Sequence, residues 1–193
     1  MTLDILRLPQ NSAVVAIASS LIAVGIGTDV HLPRKAIAND LGPQVLADET
    51  IPTTVDSTNN RDFVIEGGTQ AGTNLFHSFA RFSVPTDGSV HFNNRPDIHI
   101  IFSRVTGGRR SDIDGLISAK GRADLFFMNP SGIVFGRNAR LDIGGSFIAT
   151  TAETIVFADA QFSATRDPSS PLLTVSDPIG LQFGASSRDI HTS

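Results

Sequence analysis

The stretch from Asp114 to Ala158 most constrains what this chain can fold into. Apolar bursts recur at Leu116-Ile117, Leu125 to Met128, Ile133 to Phe135, Leu141 to Ile143, Phe147-Ile148 and Ile155 to Phe157. Between them sit Gly, Asn, Pro, Asp and Ser. The bursts are too short for helices, and their boundaries carry residues that turn a chain. They arrive roughly every eight residues, which leaves no room for crossover helices. Hairpins are one solution and give a sandwich. Parallel coiling is the other and gives a β-helix whose turns stack as rungs. No Asn-Gly or Asp-Gly pair separates the central bursts, as a two-residue hairpin requires. Links such as N-P-S-G and G-R-N-A-R suit the corners of a coil, so periodicity favours the solenoid.

Side-chain phase sharpens this reading. Period two places Leu125 and Phe127 on one face of their strand and Phe126 and Met128 on the other. All four are apolar, so both faces must be covered. Phe127 is the expected deepest core position. In Leu141-Asp142-Ile143, the two apolar residues are expected to point inward and Asp142 outward.

Composition excludes several function classes. A net charge of -4 and a pI near 5.6 argue against a nucleic-acid binder. Arg109-Arg110 is an adjacent basic pair that reads as a solvated turn. With no Cys, there is no disulfide framework, thiolate nucleophile or cysteine-zinc site. Trp and Tyr are absent while Phe numbers 13, so the aromatics can be buried without a partner for a polar tip.

Residues 1–38 differ from the rest. Ala13 to Ile26 is apolar and rich in small residues, Arg7 precedes it, and Ala36-Ile37-Ala38 has the small-x-small form of a signal-peptidase site. We expect a signal peptide here; the run is short for a membrane span of about 20 residues. Residues 39–50 read as a polar linker. From Ile51 the texture is β, with Pro52 pointing to an edge position. Leu75, Phe76, Phe79 and Phe82 fit a helical face about as well as a strand, and a short helical turn or irregular cover followed by a strand through Phe82 to Val84 is expected. Val90 to Phe92 reads as a strand ending at Asn93-Asn94. Ile98 to Val105 is an apolar run read as one helical turn. Pro168, Pro171 and Pro178 punctuate a tail with strands expected at Leu172 to Val175 and Leu181 to Phe183.

Several blocks now carry a resemblance: N-L-F-H-S-F-A-R-F-S-V (74–84), V-H-F-N-N (90–94), I-F-S-R-V-T-G-G (101–108), I-D-G-L-I (113–117), A-D-L-F-F-M-N-P-S-G-I-V-F-G (123–136) and G-G-S-F-I-A-T-T-A (144–152). In this order they resemble the filamentous haemagglutinin N-terminal domain, the secretion domain of two-partner secretion exoproteins and adhesins. The resemblance covers residues 51–184 and leaves 185–193 as a tail. It implies an all-β fold: a right-handed parallel β-helix with an N-terminal cap and extra-helical strands. It also implies type V secretion, through the periplasm to the cell surface or medium. The implied partner is an outer-membrane β-barrel transporter with POTRA domains. The family's Asn-Pro-Asn-Gly-Ile motif falls on Asn129, Pro130, Ser131, Gly132 and Ile133, with Ser131 in place of the second Asn. A second family motif, Asn-Pro-Asn-Leu, has no match. The pentapeptide has two readings: a turn that locks one coil to the next, or direct contact with the transporter. Ser131 is expected to bond nearby backbone, as Asn would more strongly. Asn74, His77, Phe79, Asn93 and Asn94 are the candidate cap and turn residues.

No catalytic, cofactor or metal site is expected. The histidines lack metal-ligand spacing, and His77 reads as a satisfied cap residue. Asp112 and Asp114 beside Arg109-Arg110 read as a charge-paired surface turn. The leading function is a secretion-targeting module without enzymatic activity that seeds β-helix folding on export. A cell-surface adhesin, whose partner is a host-cell or surface ligand, is the alternative. A β-helical polysaccharide enzyme is the second, from fold alone.

Overall fold

A computed structural model describes residues 44–165 and 173–192 of the chain. The apolar segment, the small-x-small site and the first residues of the expected linker lie outside the described residues.

The described residues form strands and turns, wound as a parallel β-solenoid of about three turns. In chain order, β1 (Val45–Ala47) and β2 (Thr53–Asp56) precede the first coil. That coil holds β3 (Asp62–Gly67), the short β4 (Thr69–Ala71) and β5 (Asn74–Phe82). The second coil is β6 (Ser89–Phe92), β7 (Ile100–Val105) and β8 (Ser111–Ile113). The third is β9 (Leu116–Ala119), β10 (Asp124–Met128) and β11 (Ile133–Phe135). The fourth begins with β12 (Arg140–Asp142) and β13 (Phe147–Thr150). The chain then leaves to form a separate antiparallel sheet from β14 (Thr154–Phe157), β15 (Gln161–Ser163) and β16 (Pro178–Gln182). It returns as β17 (Ile190–Thr192), which pairs in parallel with β11.

Three faces result. The first stacks β3, β6, β9 and β12, and the second β5, β7, β10 and β13. The third runs from a bridge at Val84 through β8 and β11 to β17. Inward side chains stack in columns, with Phe63, Val90, Ile117 and Leu141 in register on the first face. The first three are at most 2% exposed. Phe127 is fully buried in this core, packed at 4.8 Å on the Phe82 ring.

Two helical expectations are corrected. Residues 74–82 are one nine-residue strand, and 100–105 are another. Leu75 and Phe79 face the solenoid interior, while Phe76 faces a second core with Phe102, Met128, Ile155, Phe157 and Phe162. Burial on both faces removes the polar alternation that marks a strand. The antiparallel sheet supplies that second core, which covers Phe126 and Met128 while the solenoid interior covers Leu125 and Phe127, so both faces of the segment are buried. Within the expected linker, Val45–Ala47 is β1, paired with the C-terminal half of β5. In the tail, residues 173–175 are not a strand, and the later one spans Pro178–Gln182. Leu141 has the expected inward phase but is 48% exposed, because no coil lies beyond it among the described residues.

Arg104 ties the added sheet to the coils. Its Nε donates to Ser78 Oγ at 2.7 Å, its Nη2 to Thr50 Oγ1 at 2.9 Å and its Nη1 to the Ser163 carbonyl, and it lies 4.7 Å over the Phe162 ring. Asp48 accepts from Ser78 and Thr106, both at 2.6 Å. Burial pushes the Asp48 carboxyl up, but the donors on it outweigh burial and leave its pKa below the ordinary value.

His77 sits in the same strand with 1% of its surface exposed, its Nδ1 3.3 Å from Thr53 Oγ1. Burial pushes its pKa down from 6.5 to about 4. The unfolded chain therefore takes up a proton as pH falls through 6.5 while the folded ring stays neutral until about 4. The folded state is fully stable above that window and loses stability as pH falls through it. Urea unfolding at pH 7 and pH 5 is expected to differ by about 2 kcal/mol, and His77→Leu is expected to flatten this dependence; an unchanged slope in the variant would contradict the assignment.

Candidate functional site

The pentapeptide from Asn129 to Ile133 forms the corner between β10 and β11. Pro130 presets φ at the second position of a turn closed by the Gly132 N–H on the Asn129 carbonyl, 3.1 Å. Gly132 has φ of 103°, a value that L side chains rarely adopt. The Ser131 backbone N–H donates to Asn129 Oδ1 at 2.9 Å, so the Asn129 side chain holds the turn. The Ser131 hydroxyl has no partner among the described residues. This corrects its expected role: the backbone N–H at this position, not the side chain, makes the bond.

Asn129 is also the link between coils. Its Nδ2 donates to the Arg109 carbonyl at 2.9 Å and to Ser111 Oγ at 2.8 Å, both in the second coil. Its backbone N–H donates to the Thr150 carbonyl in the fourth at 3.0 Å. On the open side the returning chain lies over the corner. Arg188 N–H donates to the Pro130 carbonyl at 2.9 Å, and Ile133 N–H to the Asp189 carbonyl at 3.3 Å. Asn129 and Ile133 are fully buried, Pro130 and Gly132 are buried, and Ser131 is half-buried. The geometry is that of a lock spanning three layers.

The other candidates divide by position. Asn74, His77 and Phe79 lie inside β5 and not in turns. Asn74 Nδ2 donates to the carbonyls of Thr174 and Ser176, at 3.1 and 3.0 Å, and so anchors the segment before β16. Phe79 packs in the interior against Phe82 and Phe92. Asn93 and Asn94 follow β6 at a corner. Asn94 accepts from Lys120 N–H at 2.9 Å and donates to the Lys120 carbonyl at 3.1 Å, a second corner-to-corner link.

Sequence reasoning missed Asp114 as such a link. It accepts from the Thr86 hydroxyl of the preceding layer and from the Asn138 N–H of the next at 3.0 Å. These donors, Thr86 first, hold its carboxyl below the ordinary carboxylate range. The signal was present in spacing: these inter-coil bonds join residues 28, 26 and 24 positions apart. Arg109 and Arg110 are exposed, and Arg110 pairs with Asp112 at 2.8 Å. Among the described residues no cluster of three or more His or acidic side chains is placed to hold a metal.

Removing the Asn129 side chain abandons three hydrogen bonds at a buried corner. Asn129→Ala is expected to cost about 2–4 kcal/mol in urea unfolding. Asn129→Asp keeps the acceptor for Ser131 but loses both donors and faces a carbonyl, so it is expected to destabilise as well. Wild-type stability in either variant would contradict the lock.

A family model for the TPS secretion domain matches residues 43–192, most of the chain. The heme/hemopexin-binding protein of Haemophilus influenzae is similar over 69 residues at 29% identity, a segment covering 36% of this chain and 7% of that protein. The chain thus spans a small part of the length of this relative. By the extent of the family match and the stacked coils beneath it, the chain belongs to the TPS secretion domain family of two-partner secretion exoproteins.

Proposed function

We propose that this chain targets an exoprotein for export and seeds its folding, without enzymatic activity of its own. Its partner is an outer-membrane β-barrel transporter with periplasmic POTRA domains, and its destination the cell surface or medium. Residues 1–38 supply the signal for the first membrane.

The observation that carries this reading is the difference between the two ends of the solenoid. At the first coil, β2 runs antiparallel along β3, and β4 and β1 together line the outer edge of β5. At the fourth coil, β12, β13 and β17 have no further strand beside them among the described residues. An arriving strand finds backbone partners and the ends of apolar columns already in place. It therefore adds without the cost of nucleating a new sheet, as in other stacked repeats. Growth is directed away from the capped end, and the energy released by each added coil opposes backward movement through the transporter.

The pentapeptide serves this function as a lock. Asn129 fixes the second, third and fourth layers together, which keeps the growing end in register. Contact between the motif and the transporter is confined to what a folded corner exposes, chiefly Ser131.

Deleting the transporter gene that serves this chain is expected to leave the protein in the periplasm. Its normal appearance in the medium without that transporter would reject the proposal.

A further inference from the structure

The open end is more than an absence of pairing. Along β12, Leu141 is inward and 48% exposed, flanked by the outward and exposed Arg140 and Asp142. Neither charged side chain has a partner among the described residues. Ala139 and Ile143 continue the inward phase on either side, each partly buried against the interior core. This short segment is self-complementary when read in reverse. Antiparallel pairing centred on Leu141 sets Arg140 opposite Asp142 of the second strand, and Asp142 opposite its Arg140. It also sets Ala139 opposite Ile143, small against large, twice. Opposite charges and matched volumes directly across a ladder are the pairs that stabilise antiparallel strands.

We infer that the open end is a self-association surface and that its partner is a second copy of this chain. The two copies meet end to end about a two-fold axis through Leu141, perpendicular to the first face. That axis leaves through the opposite corner, between the second and third faces. It therefore brings β13 of one copy against β17 of the other, also antiparallel, because a flipped coil circulates the other way. Phe147 and Ala149, inward on β13, then face Ile190 and Thr192, inward on β17. Ile190 is 42% exposed at the free edge. The contact covers all three open edges at once.

The capped end fixes the stoichiometry. Antiparallel β1, β2 and β4 cover the outer edges of the first coil, so a copy cannot add there head to tail in the parallel sense of the solenoid. Association is closed at two copies. Uncovered strand edges with no proline or bulge are the kind that pair with another chain. This inference uses the edges assigned above to incoming coils but does not involve the transporter. A monomeric chain would leave the export reading standing.

Sedimentation equilibrium of the full chain over a range of concentrations tests it. A monomer–dimer equilibrium is expected, with no larger species. Arg140→Asp and Asp142→Arg each place like charges across the contact twice, and each is expected to raise the dissociation constant by about tenfold or more. An equimolar mixture of the two variants restores opposite charges at both positions and is expected to recover the wild-type value. The double variant Arg140→Asp/Asp142→Arg is again self-complementary and is expected to dimerise as a single species. A wild-type chain that stays monomeric overturns the inference. So does a dimer indifferent to both single reversals, an assembly beyond the dimer, or a failure of both the mixture and the double variant to recover association.

Discussion

Each inward side chain of this fold lies beneath the same position of the next coil, held there by a continuous parallel backbone ladder. Phe63, Val90 and Ile117 show the consequence: in-register stacking shuts each from water by its neighbours above and below. Burial of apolar surface at roughly 25 cal/mol per Å² is the main favourable term in such a stack. It depends on register, because a slip by one residue would turn every column outward. A chain without Cys has no covalent alternative.

Register is protected at the corners. Asn129, Asn94 and Asp114 each bind backbone or hydroxyl groups of neighbouring layers. The turns also pack too closely for larger residues: a Cβ at Gly115 would collide with the Gly88 carbonyl oxygen. The interior supplies most of the stability, while the corners choose one stacking over its slipped alternatives. The second core adds a different constraint. The sheet of β14, β15 and β16 covers the outer face of β5, β7 and β10, and Arg104 and Asn74 tie it back to the first two coils.

Much of this was legible in the residues. Short bursts with turn chemistry between them require strands, and the lack of tight hairpin pairs at the centre points to coiling. The four apolar residues from Leu125 to Met128 correctly demand cover on both sides. The same logic explains the failure at β5 and β7. Leu75, Phe76, Phe79 and Phe82 mimic a helical face because Phe76 serves a core built by residues far along the chain. Nothing local announces that partner. Leu141 illustrates a second limit: its phase is a local property, but its exposure depends on which coil is last. Val45–Ala47 is a third, since its polar surroundings conceal a strand that exists only by pairing with β5. At the motif, the turn was readable from Pro130 and Gly132. The reach of the Asn129 amide into the second coil was not, because it requires knowing which corner lies below.

Growth from a capped end toward an open one requires local stability to fall along the stack. Native-state hydrogen exchange on the monomeric chain measures it strand by strand. Slow exchange is expected in β5, β7 and β10, and exchange through local opening, with much lower protection, in β12 and β17. Equal protection along the whole stack, or faster exchange in β5 than in β12, would contradict it.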